Sequence, residues 1–280
     1  MDRIESEYYS HMKFDPEHTR EVQRFYLPML DGHGPVLELG SGRGEFLGLL
    51  EEAGIEAHGV DSDEGMAEKA KADGLSVTCA DANAFLDADP APGPYGAVCC
   101  FHLVEHLTPD EVLRLLTGVR RVLRPGGRFL AVTPNPACYA VLTHDFWRDP
   151  THVRFYDLEV LDFFCRQVGL TVELSGGNPA NHPGPPPGFL APAPEVHPGL
   201  TEAVDAAMAK VRQGLQHQQI RGHQSQPHDP AWAYETGHLV KVLSDRLQRA
   251  EEAIKAVHRA LDNLVWGMYE SNEIYVVARA

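Results

Sequence analysis

The sequence predicts an α/β fold in which a parallel sheet is doubly wound, with helices on both faces. Short apolar runs alternate with helical patterns between residues 36 and 134. The first run leads into a loop with glycine at every second position, Gly40, Gly42 and Gly44. A length of 280 residues suits one large domain, or one domain with an insertion.

The glycine loop predicts a nucleotide-type site. Residues 36–39 form a predicted buried strand, and a helix is expected to open near Arg43. Glycines let the backbone turn sharply and let a ligand approach the main chain without meeting a Cβ. A dinucleotide fingerprint would need a third glycine where this chain has Glu45. The pattern is instead E-x-G-x-G-x-G, which begins at Glu38.

Acidic residues and a histidine-rich string follow the next predicted strands. Asp61 ends the second strand, where a carboxylate can hold a ribose diol, and Asp81 follows the third. The fourth strand leads into His102-Leu-Val-Glu-His-Leu107, and a helix ending in Pro-Gly-Gly127 precedes the fifth. The predicted parallel strands are residues 36–39, 55–60, 75–79, 95–101 and 129–133.

In these motifs, taken in order over residues 36–134, the chain resembles the class I S-adenosylmethionine (SAM) dependent methyltransferases. The resemblance implies a Rossmann-like sheet of seven strands, with the last strand antiparallel beside the fifth, and SAM as cofactor. It implies that Asp81 accepts the adenine amino group and that the Ala82 amide faces the ring. A doubly wound domain for another nucleotide is the alternative. The residues expected at the cofactor are Glu38, Gly40, Ser41, Gly42, Gly44, Asp61, Ser62, Asp81, Ala82, Phe101 and His102.

Residues 1–30 are expected to form an N-terminal helical segment. Asp15-Pro16 has the form of an N-cap followed by proline at the first helical position, and the helix should run to about Leu30. Tyr8 and Tyr9 precede it. Two interpretations stay open, since the segment can pack against the sheet edge or bring a tyrosine over the cofactor. Tyr9 is therefore a candidate substrate contact.

The methyltransferase-like core is expected to comprise residues 31–174 and 272–280. A helix over 157–169 and a sixth strand over 170–174 follow the fifth strand, and residues 272–279 form the last strand. In the family that strand normally follows the sixth after a short hairpin. Here residues 175–271 intervene, and they are predicted to be an insertion.

The predicted insertion begins with a segment rich in proline and glycine, residues 176–198, which cannot form regular helix. A helical pattern runs from Leu200 to Leu215, and a longer one starts at Asp229-Pro230. Apolar residues of the longer helix alternate steps of four and three, which is an a/d seam. An antiparallel helical hairpin is its simplest use; a homodimer interface and a lid over the substrate are the alternatives. The seam consists of Leu243, Leu247, Ala250, Ile254, Val257, Leu261 and Leu264.

Residues 144–156 are the predicted catalytic segment. They follow the fifth strand, at the edge where open α/β sheets form their crevice. His152 titrates in a useful range, and Asp149 could orient it as a general base, with His144 as a further candidate. A purely structural histidine is the alternative for His152. The candidate substrate contacts are Tyr9, Trp147, Arg148, Arg154 and Tyr156.

The element Asp149-Pro-Thr-His152 resembles one found in bacterial methyltransferases that modify surface polysaccharides and sugars. The resemblance covers roughly residues 36–170 and implies a hydroxyl acceptor on a sugar, a glycan end or a small natural product. Some sugar methyltransferases use magnesium, and Asp145, Asp149 and Glu105 could supply oxygen ligands. Two rival functions stay open: nitrogen methylation, and a SAM-binding protein that acts through its insertion with little turnover.

Other classes of function fit the sequence less well. The string from His102 to His106 matches the H-x-x-E-H pattern of a zinc peptidase family, but the flanking methyltransferase motifs explain it. A net charge of -16 and a pI near 5.3 argue against an extended nucleic-acid surface. Five cysteines, an odd number, are expected to be reduced thiols, mostly buried. Without a signal peptide or an apolar run long enough to span a bilayer, the chain is expected to be cytoplasmic, with no membrane insertion.

Overall fold

The computed structural model describes residues 11–12, 15–88, 92–182, 184, 206, 209–210, 213 and 230–280, and only the backbone of 230–237 and 239–240. The described residues form a seven-stranded sheet with the order β3-β2-β1-β4-β5-β7-β6, in which β7 pairs antiparallel with both β5 and β6. This confirms the predicted fold class and the antiparallel last strand. The strands are β1 Val36–Leu39, β2 Ala57–Asp61, β3 Val77–Cys79, β4 Tyr95–Phe101, β5 Leu123–Pro134, β6 Thr171–Gly177 and β7 Glu273–Arg279.

The central strands are buried on both faces, which is why they read as unbroken apolar runs. All four residues of β1 are buried. Leu37 and Leu39 pack into one hydrophobic cluster, and Val36 packs into the cluster on the opposite face. Helices cover both faces. Numbered in chain order, the helices α1 to α9 of the structure are α1 Pro16–Gln23, α2 Leu27–Leu30, α3 Glu45–Glu52, α4 Glu64–Ala72, α5 Ala82–Leu86, α6 Pro109–Val122, α7 Phe146–Arg148, α8 Leu158–Gln167 and α9 Pro230–Met268.

The N-terminal helical segment differs from its prediction by a break. After α1, residues Arg24–Tyr26 form a 3₁₀ turn before the short α2. Pro28 has no N–H to donate to a carbonyl one turn earlier, and this is a physical reason for the break. Tyr26 is fully buried, with its ring 5.3 Å from Phe101 and 5.6 Å from Tyr275 between ring centres. The segment therefore packs against the sheet.

Several predicted strand boundaries differ from the structure, and the differences at β5 and β6 are the largest. β5 begins at Leu123 rather than at residue 129, and β6 continues to Gly177 rather than ending at 174. The extra residues of β6 pair with the start of β7, and the side chain of the next residue, Asn178, is fully buried. Residues 175–177 thus belong to the sheet and Asn178 is buried beside it, although sequence reasoning placed all four in the insertion.

The chain divides into two compact units, Met1–Gly184 with Met268–Ala280 and Pro185–Gly267. Helix α9, 39 residues long, begins at Pro230 as expected. Its seam residues Leu243, Ile254, Val257, Leu261 and Leu264 are exposed. Most of the first predicted helix, from Leu200 to Leu215, lies outside the described residues. The hairpin, the homodimer and the lid therefore stay predictions.

The cysteines and the membrane expectation can be compared with the structure directly. All five cysteines are free thiols; four are buried, and Cys79 is exposed. Among the described helices, none is both long and apolar enough to cross a membrane.

Candidate active site

A cavity opens at the carboxyl ends of β1, β2 and β4. Every predicted cofactor residue except Gly44 lines it. Gly44 lies at the N-terminus of α3 with a φ of +87°, and a Cβ there would collide with the side chain of Leu75. Gly44 therefore shapes the loop from behind instead of facing the cavity. The lining residues that were predicted are Glu38, Gly40, Ser41, Gly42, Asp61, Ser62, Asp81, Ala82, Phe101 and His102.

Two aspartates hold the loops of this cavity in place. The Oδ2 atom of Asp61 accepts a hydrogen bond from the Gly42 amide at 2.7 Å, and its Oδ1 accepts one from the Asp63 amide at 2.8 Å. Burial raises the pKa of Asp61, while these two amide bonds lower it. Asp81 caps α5 by accepting from the Ala84 amide at 2.8 Å. Both acids border the cavity, as expected, and their contacts to ribose and adenine stay predictions.

Several buried polar atoms of the cavity have no hydrogen-bond partner within the described part of the chain. They include Glu38 Oε2, Ser41 Oγ, Asn83 Oδ1 and Gln23 Oε1. Buried polar atoms are normally paired, so these are positioned for a ligand that brings hydrogen-bond donors. Burial, followed by the carboxylates of Glu45 and Asp61, raises the pKa of Glu38 well above its usual range. The site thus favours a ligand with positive charge, and SAM, which carries an ammonium and a sulfonium, fits.

Helix α1 also contributes to the cavity, through Thr19 and Gln23. These two residues were not predicted, because nothing in the sequence shows which face of α1 turns towards the glycine loop. Tyr8 and Tyr9, the predicted aromatic cover, lie outside the described residues.

His102 lies in the cavity wall between two buried carboxylates. Its Nδ1 is 3.2 Å from Glu105 Oε1, and its Nε2 is 3.2 Å from Glu273 Oε2. Its side chain stays 40 % exposed because it faces the open cavity. Burial would lower the pKa of His102, but the two carboxylates raise it to about 10. With both nitrogens engaged, His102 lines the site without an N–H to offer a cofactor.

His106, half-buried, lines the same cavity and is held by a short chain of hydrogen bonds. Its Nδ1 lies 2.9 Å from Thr151 Oγ1, which in turn lies 2.5 Å from Asp149 Oδ1. An ionised carboxylate brings no hydrogen, so the hydroxyl donates to Asp149 and accepts from Nδ1–H of His106. This arrangement leaves the lone pair of His106 on Nε2, which makes His106 a candidate proton acceptor.

His152, the predicted base, lies behind His106. Their ring centres are 4.7 Å apart, and His152 is not among the residues that line the cavity. Its Nδ1 donates to the Phe146 carbonyl at 2.6 Å, and its ring packs 4.3 Å from that of Phe146. Burial lowers the pKa of His152, more than the Phe146 carbonyl raises it. The geometry favours the structural interpretation of His152, and Asp149 orients His106 through Thr151 instead.

The remaining candidates of residues 144–156 do not converge on the cavity. His144 is 69 % exposed and bonds to Asp145 at 2.9 Å. Tyr156 is fully buried and donates to the Leu107 carbonyl at 2.8 Å, so it is a core residue. Trp147, Arg148 and Arg154 are exposed, and Arg154 lies over the Tyr156 ring. A substrate role for these three stays a prediction.

One group of described residues has the spacing of metal ligands. Glu105, His106 and His152 offer ligand atoms within 4.8 Å of one another, and the predicted oxygen donors Asp145 and Asp149 do not join them. Both oxygens of Glu105 already accept hydrogen bonds, from His102 at 3.2 Å and from Thr133 at 3.0 Å. We therefore interpret the group as a hydrogen-bonded cluster. Two imidazoles would in any case suit magnesium poorly, because magnesium prefers oxygen ligands.

A family profile described as a methyltransferase domain matches residues 10–175, more than half of the chain. The chain belongs to this methyltransferase family. Its motifs and its fold agree that the cofactor is SAM. The part of the cavity that contains the unpaired polar atoms of Gln23, Glu38, Ser41 and Asn83, here called the cofactor cradle, agrees with them. The narrower resemblance to glycan-modifying enzymes stays a prediction.

Two similar proteins show how far the similarity in structure and in sequence extends. The methyltransferase has the fold of a SAM-dependent methyltransferase from Archaeoglobus fulgidus, with a TM-score of 0.66 and 21 % identity over 99 % of this chain and 100 % of that one. It is also 32 % identical over 111 residues to a ubiquinone biosynthesis O-methyltransferase of Methylococcus capsulatus. That match covers 38 % of this chain and 46 % of the relative, less than half its length.

His106 lines the cavity but was not among the residues that the sequence analysis put forward. The signal was present, since the string His102-Leu-Val-Glu-His106 was noted and attributed to the methyltransferase motifs, but no separate role was assigned to His106. Thr151, the residue immediately before the predicted base, was part of the noted Asp-Pro-Thr-His element. Nothing in the sequence indicated that the threonine of one motif bonds the histidine of the other.

Proposed function

We propose that this methyltransferase transfers the methyl group of SAM to a hydroxyl oxygen of a small molecule or of a sugar unit. The observation that carries the proposal is His106, which borders the cofactor cavity with its Nδ1–H directed to Thr151 and its lone pair on Nε2. A hydroxyl must lose its proton on methylation, so a fixed proton acceptor at the cavity suits an O-methyltransferase.

The residues around the cavity have separate roles in the proposed reaction. Glu38, Asp61 and Asp81 would hold SAM, which when bound supplies a methyl group on a sulfonium sulfur that leaves as a neutral thioether. The donor-seeking atoms of Glu38 and Ser41 would orient it, and such positioning contributes several kcal/mol to lowering a barrier. His106 Nε2 would take the proton of the acceptor hydroxyl as the new carbon–oxygen bond forms. Asp149, through Thr151, would stabilise the resulting imidazolium.

Two acceptor classes have separate support. The Asp149-Pro-Thr-His152 element resembles that of sugar-modifying enzymes, and the relative from Methylococcus capsulatus is named for ubiquinone biosynthesis and O-methylation. Both classes present a hydroxyl. We favour the sugar or glycan class, because the sequence element that carries it includes the two residues, Asp149 and Thr151, that orient His106.

The test uses labelled methyl transfer from SAM into an extract separated into carbohydrate, lipid and small-molecule fractions. Label in carbohydrate supports the favoured acceptor class, and label only in lipid or small aromatic molecules overturns it. On the labelled fraction, His106→Ala should lower kcat by about 10²-fold or more. His152→Asn, whose amide can still donate to the Phe146 carbonyl, should stay within about threefold of wild type, as expected of a residue off the reaction path.

SAM affinity, measured by calorimetry, serves as the control and should not change in either variant. An unchanged kcat in His106→Ala would exclude it as the base and favour an amine acceptor, which attacks in its neutral form. No transfer to any fraction, despite tight SAM binding, would favour the rival interpretation of a binding protein.

A further inference from the structure

His102 has a carboxylate oxygen at each of its two ring nitrogens. The distances are 3.2 Å from Nδ1 to Glu105 and 3.2 Å from Nε2 to Glu273. A carboxylate only accepts hydrogen bonds, and a neutral imidazole has a single N–H. Both contacts are satisfied together only when both nitrogens carry hydrogen. The geometry alone therefore describes His102 as an imidazolium.

The two carboxylates need that cation. Glu105 is fully buried and Glu273 is 3 % exposed. Buried carboxylates are costly unless they are paired and hydrogen-bonded. Neutral donors satisfy the oxygens further but supply no charge. These donors are Thr133 Oγ1 on Glu105, and Tyr26 Oη, Asn178 Nδ2 and Asn181 Nδ2 on Glu273.

Glu105 connects this charged group to the proposed base. It immediately precedes His106, and its backbone carbonyl accepts from the amides of Val153 at 2.8 Å and Arg154 at 3.3 Å. Those amides belong to the segment that carries Thr151, the hydrogen-bond partner of His106. Glu105 therefore fixes both sides of the contact between His106 and Thr151.

The backbone of His102 is itself held in an unusual state. Its φ of +51° makes it a non-glycine residue with positive φ, which costs energy and persists only where the surroundings enforce it. The side-chain contacts to Glu105 and Glu273 are the enforcement visible in the structure. Such a conformation gives the turn Val104–His106 a defined direction as it leaves β4.

We propose that His102 is an imidazolium at neutral pH and that its contacts to Glu105 and Glu273, which we call the clamp, position His106 at the cavity. Glu273 is then a positioning residue of the active site, although it comes from the last strand, after the insertion. The base role of His106 rests on the proposed function; the clamp does not. The charged, titratable and polar groups that face the clamp are Tyr26, Cys100, Glu105, His106, Thr133, His152, Asn178, Asn181 and Glu273.

The test replaces one carboxylate. Glu273→Gln keeps the shape of the side chain but removes the charge, and exposed Glu270→Gln is the matched control in the segment before β7. By nitrogen NMR at pH 8, wild type and Glu270→Gln should show both His102 nitrogens protonated, and Glu273→Gln should show one. The kcat of Glu273→Gln should fall about 10-fold, as expected when a base loses its orientation, while SAM affinity stays unchanged.

Each result separates the clamp from the proposed function. A neutral His102 in wild type at pH 8 would overturn the clamp, whatever the activity. A protonated His102 with full kcat in Glu273→Gln would overturn the positioning role. Loss of the second proton together with an inactive His106→Ala variant supports both, whereas loss of the proton with an active His106→Ala supports only the charged clamp.

If Glu273→Gln does not fold, Tyr26→Phe removes a neutral donor from Glu273, 2.7 Å away, without changing charge. It should leave His102 doubly protonated at pH 8 and reduce kcat by less than fivefold, since the carboxylate pair remains. Loss of the second proton in this mild variant would contradict a clamp made by charge.

Discussion

The two ends of the cavity are built in opposite ways. The cofactor cradle takes most of its residues from strand ends between Glu38 and Asn83, and several of its buried polar atoms have no partner among the described residues. The other end, where we propose that the acceptor binds and which we call the acceptor end, lies around Glu105 and His106. It draws on residues as distant as Thr151 and Glu273, and its polar groups are hydrogen-bonded to one another. The polar atoms of the cradle therefore need a ligand as their partner, whereas the polar groups of the acceptor end already have partners within the protein.

Because of this difference, variants at the two ends should affect cofactor binding and catalysis separately. Unpaired buried atoms in the cradle lower the free energy of unfolding until a ligand forms hydrogen bonds with them. Ligand binding therefore restores stability that the unliganded protein lacks. At the acceptor end the hydrogen bonds that orient the proposed base are already formed. The base can therefore act without reorganisation of its surroundings. Variants should therefore change stability and SAM affinity at the cradle, and turnover at the acceptor end.

The largest effect is expected at Gly44, which supports the cradle from behind. Gly44→Ala places a Cβ at a φ of +87° and against Leu75, so it should lower the free energy of unfolding by about 2–5 kcal/mol. Gly54→Ala is the control, because Gly54 has a φ of +70° but nothing near its Cβ, and should cost about 1–2 kcal/mol. Equal losses in urea unfolding would show that the contact with Leu75 does not matter.

The next largest effect is expected at Glu38, where removing the charge should weaken SAM binding but should not lower the stability of the unliganded protein. Glu38→Gln removes the charge that should meet the cationic cofactor, and the Kd for SAM should rise about 10²-fold. Exposed Glu56→Gln is the control. An unchanged Kd would remove Glu38 from the cradle.

Without cofactor, Glu38→Gln should be as stable as wild type or more stable. Since folding raises the pKa of Glu38, wild type loses stability as the pH rises through the unfolded-state value of about 4.5, and the variant does not. The advantage of the variant should therefore grow above pH 4.5 in unfolding experiments. A variant less stable than wild type at pH 7 would contradict a costly buried carboxylate.

The smallest effect is expected at Thr151, at the acceptor end. Thr151→Val keeps the shape but removes the hydroxyl between His106 and Asp149, so kcat should fall about 10-fold because the base loses its orientation. Thr151→Ser should retain most activity. Both should bind SAM as wild type does. A change in the Kd for SAM in Thr151→Val would mean that the two ends are not independent.

Much of the fold and of the cradle could be predicted because both depend on short stretches of sequence. Apolar runs buried on two faces marked β1 and β4, and the glycine spacing with Glu38, Asp61 and Asp81 marked a single edge of the sheet. The extension of β6 was not predictable, because its pairing with β7 depends on residues after the insertion.

The sequence by itself determined the fold class, the family and most of the residues that line the cofactor cavity, since each strand end brings its own polar residues to a shared edge of the sheet. Only the tertiary structure shows which of the two histidines, His106 or His152, borders the cavity. His106 and His152 are both next to acids and polar residues in the sequence, but hydrogen bonds across long separations direct one to the cavity and tie the other to Phe146. Such bonds depend on how distant segments pack, and no local pattern of residues records them.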